Sequence, residues 1–169
     1  MISLSVQVAR VLLSRSSVCV LNFIILTVTV SALYEASKLL FNVTNDFDQI
    51  EGLLGGPSAI FVAYGVALEE RDYLMQFFKL YPTYWNHSEE AVDRACHFYG
   101  LCVLLLGLFM EVSVEVLKIP NNLLNTQGHE GVIFGVGLLF SAVTSVLLMR
   151  LSYVLLRVRT VTSKEARAS

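Results

Sequence analysis

Three glutamates lie within or beside long apolar stretches, where an ionisable side chain is costly and often functional. They are Glu35, Glu111 and Glu115, and the last two are four residues apart, on one face of a helix. Carboxylates in this pattern are suited to binding a cation or exchanging a proton. We expect Glu111 to be the first candidate because it lies deepest in its apolar stretch. No catalytic residue is predicted.

The glutamates also have an ordinary interpretation, because two lysines follow them closely. Lys38 is three residues after Glu35, and Lys118 is three residues after Glu115. Ion pairs at this spacing, or solvated side chains at a membrane surface, would explain these residues without any function. This alternative applies less well to Glu111.

A second candidate pair is Glu69 and His97. A carboxylate beside an imidazole is suited to relaying protons, and we expect the two residues to approach each other where their helices pack. The alternative is a solvated helix end with a histidine that is merely hydrogen-bonded.

Enzyme and cofactor signatures are absent from the sequence. It contains no Gly-x-Ser-x-Gly, His-Glu-x-x-His, phosphate-binding glycine loop or Cys-x-x-Cys. The three cysteines are too widely spaced to predict a metal site. His87 and His129 are expected on opposite sides of a membrane, so they cannot clamp a haem. We therefore predict no metal and no cofactor, and consider an enzyme acting alone less favoured.

The composition predicts that the elements holding these residues are membrane helices. Of 169 residues, 55% are hydrophobic and 15% charged, with a mean hydropathy of +0.64, whereas a soluble domain has about 25% charged residues. Backbone groups in hydrocarbon must bond within their own segment, which requires helices of about 20 residues. We predict an all-α, four-helix membrane bundle as a single domain over residues 1–169, with spans at 18–40, 57–80, 95–117 and 131–156.

Local signals give the expected ends of the second and third helices. Pro57 suits the first turn of the second helix, which we expect to continue to about Tyr81 because Pro82 would stop it. Asn86 or Ser88 is placed to cap the third helix. The two helices should form a hairpin that protrudes on the cytoplasmic side.

The basic residues predict the orientation, because loops rich in Lys and Arg stay in the cytoplasm. Only Lys38 and Lys118 fall on the predicted outer side. The other ten basic residues lie on the inner side: Arg10, Arg15, Arg71, Lys79, Arg94, Arg150, Arg157, Arg159, Lys164 and Arg167. We expect both termini in the cytoplasm, a basic tail over residues 157–169, and a bacterial cytoplasmic membrane. A cleaved signal ending at Val30-Ser31-Ala32 is less favoured because the apolar stretch is long for a signal.

Small residues at four-residue spacing predict where helices pack closely in lipid. One such row is Gly55, Ala59, Ala63 and Ala67, and a second contains Gly131 and Gly135. We expect the rows to build the four-helix bundle; the alternative is contact with another subunit.

The favoured function is an accessory or structural subunit of a larger inner-membrane complex. The partners would be the lipid bilayer and either other subunits or further copies of the chain, and not nucleic acid. The alternatives are a small homo-oligomeric ion channel or transporter that uses the carboxylates, and a membrane subunit of a redox or other enzyme complex. Four helices without an internal repeat leave little room for a transport pathway, which decides this order.

Overall fold

The computed structural model describes residues 7, 10–41, 47–80, 87–118 and 130–168, and in these residues it is entirely helical apart from turns. The helices are α1 (Arg15–Phe41), α2 (Phe47–Glu69), α3 (Arg71–Phe77), α4 (His87–Lys118) and α5 (Glu130–Ala168). The predicted all-α class is confirmed.

Four of the helices contain stretches long and apolar enough to cross a membrane. These stretches are Arg15–Leu39, Gly52–Glu69, Glu90–Val116 and Gly131–Arg157. Even the most enclosed of the four is only 39% buried within the chain, so large apolar faces point outward. In α5 the helix continues to Ala168, through the residues for which the sequence predicted a tail.

The four long helices pack in a ring in which α2 and α4 share the most extensive contact. Helix α5 packs against α4, and α1 closes the ring against α5 and α2. One cluster of buried apolar residues fills the centre, and it includes Phe61, Met110, Phe134, Leu148 and Leu151.

Three glycines let the backbones of α2 and α4 approach each other. A Cβ added at Gly65 would lie 2.5 Å from the backbone nitrogen of Leu104, and one at Gly100 would lie 2.6 Å from that of Glu69. At Gly107 an added Cβ would be 2.9 Å from the Cβ of Phe61. No side chain fits at these distances, so the glycines set the spacing of the two helices.

Helix α1 is held to α5 by a buried polar contact. The Asn22 side-chain amide donates to the Leu148 carbonyl oxygen at 2.7 Å and also to the Ser152 hydroxyl. Hydrogen bonds of this kind hold helices together where apolar surface alone gives no preference.

Pro57 does not begin α2, as the sequence predicted, but lies inside it. The helix begins ten residues earlier, at Phe47, and Leu54 on this first part is buried in the core. Tertiary burial therefore stabilises helical turns that the preceding glycines would weaken in isolation. Next to the proline, the Ser58 hydroxyl donates to the Gly55 carbonyl oxygen at 2.8 Å.

The second helix also ends earlier than predicted, well before Pro82. Its regular geometry breaks at Glu70, and α3 ends at Phe77. Lys79 adopts a left-handed conformation with φ 53°, while Leu80 N–H donates to Met75 O and Lys79 N–H to Gln76 O. These bonds form a Schellman motif, whose characteristic apolar contact would join the buried Met75 and Leu80. The prediction missed this end because lysine occupies the position that usually holds glycine.

The close approach of α2 and α4 generates a stability prediction. Gly65→Ala and Gly100→Ala should each destabilise the protein by about 1–3 kcal/mol, because the added methyl group overlaps backbone atoms. The measurement is the Tm of the purified protein in detergent.

Gly135→Ala is the matched control, because a Cβ at Gly135 meets no atom within 4 Å. Its Tm should be unchanged or slightly higher, since alanine favours helix over glycine. Equal losses at all three positions would show that the close packing of α2 against α4 is not the cause, because Gly135 has no neighbour within 4 Å of its added Cβ.

Candidate functional site

Glu111 is half-buried on α4, and its carboxyl group is hydrogen-bonded to Ser58 of α2. Ser58 is completely buried and also donates to the Gly55 carbonyl oxygen. The first carboxyl group selected from the sequence therefore lies at the contact between the two most closely packed helices.

The hydrogen bonds of Ser58 depend on whether the Glu111 carboxyl group carries a proton. A serine hydroxyl has one proton, so Ser58 cannot donate to both Gly55 and an ionised Glu111 at once. A protonated Glu111 donates its own O–H to the Ser58 oxygen, which leaves the serine proton for Gly55. Both hydrogen bonds are then made, so the hydrogen-bond geometry accommodates a protonated carboxyl group.

Glu35 and Glu115 lie apart from this contact. Glu35 forms an ion pair with Lys38 at 3.1 Å on the same helix, and both side chains are exposed. Lys38 also lies 4.0 Å above the centre of the Tyr34 ring. Glu115 is exposed on α4, whereas the side chain of Lys118 lies outside the described residues. The structure thus gives Glu35 the ordinary pairing that its spacing suggested.

The predicted carboxylate layer does not form a metal site in the part of the chain that is described. No group of three His, Cys, Asp or Glu side chains there is arranged to hold a metal ion. Helix α1, which carries Glu35, makes its main contacts with α2 and α5 and not with α4. The described residues therefore do not group Glu35 with the other two glutamates, and a cation site at Glu111 and Glu115 stays a prediction.

The second candidate pair is brought together. His97 Nδ1 lies 3.4 Å from Glu69 Oε1, with the histidine side chain 61% exposed and the glutamate 27% exposed. The contact is at the end of α2, close to Gly100, where the two backbones nearly touch. Solvent reaches both groups, so proton relay through this pair stays a prediction.

A third pair, between Arg71 and Asp93, was not selected from the sequence. Arg71 begins α3 and is only 2% exposed; its guanidinium group bonds to Asp93 of α4, which is 12% exposed. Arg71 Nε also donates to the Leu13 carbonyl oxygen at 3.1 Å. The sequence did contain a signal for this pair: Arg71 lies just beyond an apolar stretch, and Asp93 lies near the start of the next one.

The predicted packing rows lie mostly outside the helix contacts of this chain. Ala59, Ala63 and Ala67 are exposed on α2, and a Cβ added at Gly131 or Gly135 would meet no atom within 4 Å. Gly55, in contrast, lies near a Val114 methyl group: an added Cβ would be 3.7 Å from it. Among the described residues, other glycines make the close contact between α2 and α4. The alternative, contact of these rows with another subunit, stays a prediction.

Comparison of the chain with protein-family models, curated proteins and solved structures gives no match. The structure itself defines the class: an all-α chain with four helices long and apolar enough to span a membrane.

The buried Arg71–Asp93 pair generates a second prediction. Asp93→Asn should destabilise the protein by about 3–5 kcal/mol, because it removes the negative charge that Asp93 places against the buried guanidinium of Arg71. The change is measured as the loss of Tm in detergent. In the double variant Arg71→Met/Asp93→Leu, apolar side chains replace both charges, and much of the lost Tm should return.

The matched control for Asp93→Asn is Glu90→Gln, one helical turn away. Glu90 pairs with Arg94 at 3.1 Å, but both side chains are exposed, so the cost should stay below about 1 kcal/mol. A loss at Glu90 as large as at Asp93 would show that burial is not what makes the pair important.

The Ser58–Glu111 contact generates a third prediction. Ser58→Ala should cost about 1 kcal/mol by removing the partner of the Glu111 carboxyl group. Glu111→Gln should retain the wild-type Tm, because its amide N–H donates to Ser58 as a protonated carboxyl group would.

The control for Ser58→Ala is Ser113→Ala, since the Ser113 hydroxyl donates to the Phe109 carbonyl oxygen of its own helix. The Tm of Ser113→Ala should change less than that of Ser58→Ala, because no contact between helices is removed. If Glu111→Gln lowered Tm as far as Glu111→Leu does, the contact would require an ionised carboxylate, contrary to the proton count.

Proposed function

We propose that this chain is an accessory, structural subunit of a larger membrane protein complex, and that it binds a partner helix through the outward face of α2. The observation that carries the proposal is the exposed row Ala59, Ala63 and Ala67. Small residues at this spacing allow two helices to approach closely in lipid, and no helix among the described residues packs closely against this row.

The outward faces of the bundle support the same proposal. Large apolar side chains are exposed along every candidate span, among them Phe23, Phe109, Leu139 and Val146. A soluble protein rarely exposes a continuous apolar surface of this extent. Lipid and partner helices together would cover it, and the small residues on α2 mark the part best shaped for a helix.

A transport path through one chain has less support because the core cluster is apolar. Phe61, Met110, Phe134 and Leu148 are at most 2% exposed and belong to one cluster. The ion channel or transporter is therefore the second candidate, and it depends on Glu111, whose half-buried carboxyl group is hydrogen-bonded to Ser58. The third candidate, a membrane subunit of a redox or other enzyme complex, is supported by the contact between His97 and Glu69.

We also propose that the arginine-rich end of the bundle faces the cytoplasm of a bacterial cell, in its inner membrane, with the α2–α4 hairpin protruding there. The contacts of Arg71 with Leu13 and Asp93 place the start of α1, the end of α2 and the start of α4 at one end. Asn22 contacts Leu148 and Ser152, so the antiparallel register puts Arg157 level with Arg15. Basic residues concentrated at one end are typical of the cytoplasmic side.

The proposal predicts an assembly larger than one chain of 18.8 kDa. After gentle extraction from its own membrane, the wild-type protein should show by native mass measurement a complex with other subunits. Ala63→Phe should release the chain from this complex, because a large ring prevents close approach of the partner helix.

Val146→Phe is the control, since Val146 is 55% exposed on α5 and the variant presents the same ring on a different helix. It should leave the complex intact. A wild-type protein recovered as a single chain would contradict the proposal. An intact assembly in which Glu111→Gln abolishes ion or proton flux would favour the channel or transporter instead.

A further inference from the structure

Two adjoining cavities lie where the start of α1 meets the end of α2. The first, here called the arginine pocket, has a volume of about 260 Å³ and is lined by Arg10, Ser14, Arg15 and Arg71 among others. The second, here called the apolar groove, has a volume of about 410 Å³ and is lined mainly by apolar side chains, among them Val18, Leu21, Ile24, Tyr64 and Leu68. Leu13 and Arg71 line both cavities, so the two lie side by side.

The arginine pocket is suited to a phosphate group. Three arginines line it, of which Arg71 is paired with Asp93, and no acidic side chain is among the described residues of its wall. Guanidinium groups bind phosphate through paired, charge-assisted hydrogen bonds. Arg71 is already fixed by Asp93 and by the Leu13 carbonyl oxygen, so this part of the pocket needs no ordering when an anion binds.

The apolar groove is suited to a hydrocarbon chain. It follows α1 from Ser17 to Ile24, a distance of about 10 Å at 1.5 Å per residue, and Tyr64 and Leu68 of α2 form its other wall. These residues belong to two candidate membrane spans, whereas the arginine pocket lies at the ends of those spans. The arginine pocket therefore lies at the level of a phospholipid headgroup, and the apolar groove lies at the level of its acyl chains.

We propose that the two cavities bind one anionic phospholipid, with its phosphate in the arginine pocket and one acyl chain in the apolar groove. This inference rests on the proposed membrane placement, but not on the proposed partner helix. Basic pockets between helices at the cytoplasmic surface are a recognised way to hold anionic headgroups. A soluble anion would use the pocket but not the groove, and an apolar peptide would use the groove but not the three guanidinium groups.

The test measures the Tm of the purified full chain in a neutral detergent after adding lipid. Phosphatidylglycerol should raise Tm by about 4 °C or more above the effect of phosphatidylcholine with the same acyl chains, because a ligand that binds the folded state stabilises it. The double variant Arg10→Gln/Arg15→Gln should lose this difference, and Ser17→Phe should reduce it by filling the groove.

Arg94→Gln is the matched control, because Arg94 is 80% exposed, is not among the residues lining either cavity and carries the same charge. It should keep the wild-type difference between the two lipids. Equal effects of the two lipids on the wild type would overturn the inference, as would equal stabilisation by inorganic phosphate, which has no acyl chain.

The same measurement on Ala63→Phe separates this inference from the proposed function. If that variant lacks partners but retains the lipid effect, the site belongs to the single chain. If the wild type forms its complex without any preference for phosphatidylglycerol, the lipid site is wrong and the partner surface stands.

Discussion

The structure depends on the close approach of α2 and α4, which glycine makes possible at Gly65, Gly100 and Gly107. In lipid, association of helices relies on packing between close surfaces, because the surrounding chains are as apolar as the side chains. The same approach brings polar groups of α2 and α3 within reach of α4. It joins Ser58 to Glu111, Glu69 to His97 and Arg71 to Asp93.

These three pairs differ in exposure, and their chemistry follows from that difference. The contact of Glu111 with Ser58 lies within the candidate spans and is half-buried. Arg71 and Asp93 lie near the helix ends, where two full charges are compensated by each other and by the Leu13 carbonyl oxygen. His97 also lies close to these ends, and its side chain is exposed. The ion pair of Arg71 and Asp93 thus lies at the ends of the helices and not at their middle.

The sequence predicts those features that depend on composition or on local spacing. The length of the apolar stretches predicted the four long helices. The three-residue spacing of Glu35 and Lys38 predicted their ion pair. The helix faces that pack together could not be predicted from the sequence. Spacing identifies a row of small residues, but it does not identify the helix that packs against that row. The left-handed Lys79 was missed because lysine occupies a position that usually holds glycine, and the break at Glu70 has no local sequence signal. The Arg71–Asp93 pair needed the register of two helices, which no single segment contains.

Ala67 links the two surfaces for which functions are proposed. It ends the exposed row of small residues on α2, and it also lines the apolar groove. A helix packed on that row would therefore lie beside any acyl chain held in the groove, and lipid and partner would each bury part of the other. Ligands that share a boundary in this way change each other's affinity, and the effect is equal in both directions. An anionic lipid at this position would favour assembly in membranes rich in such lipids, and release of the lipid would weaken it.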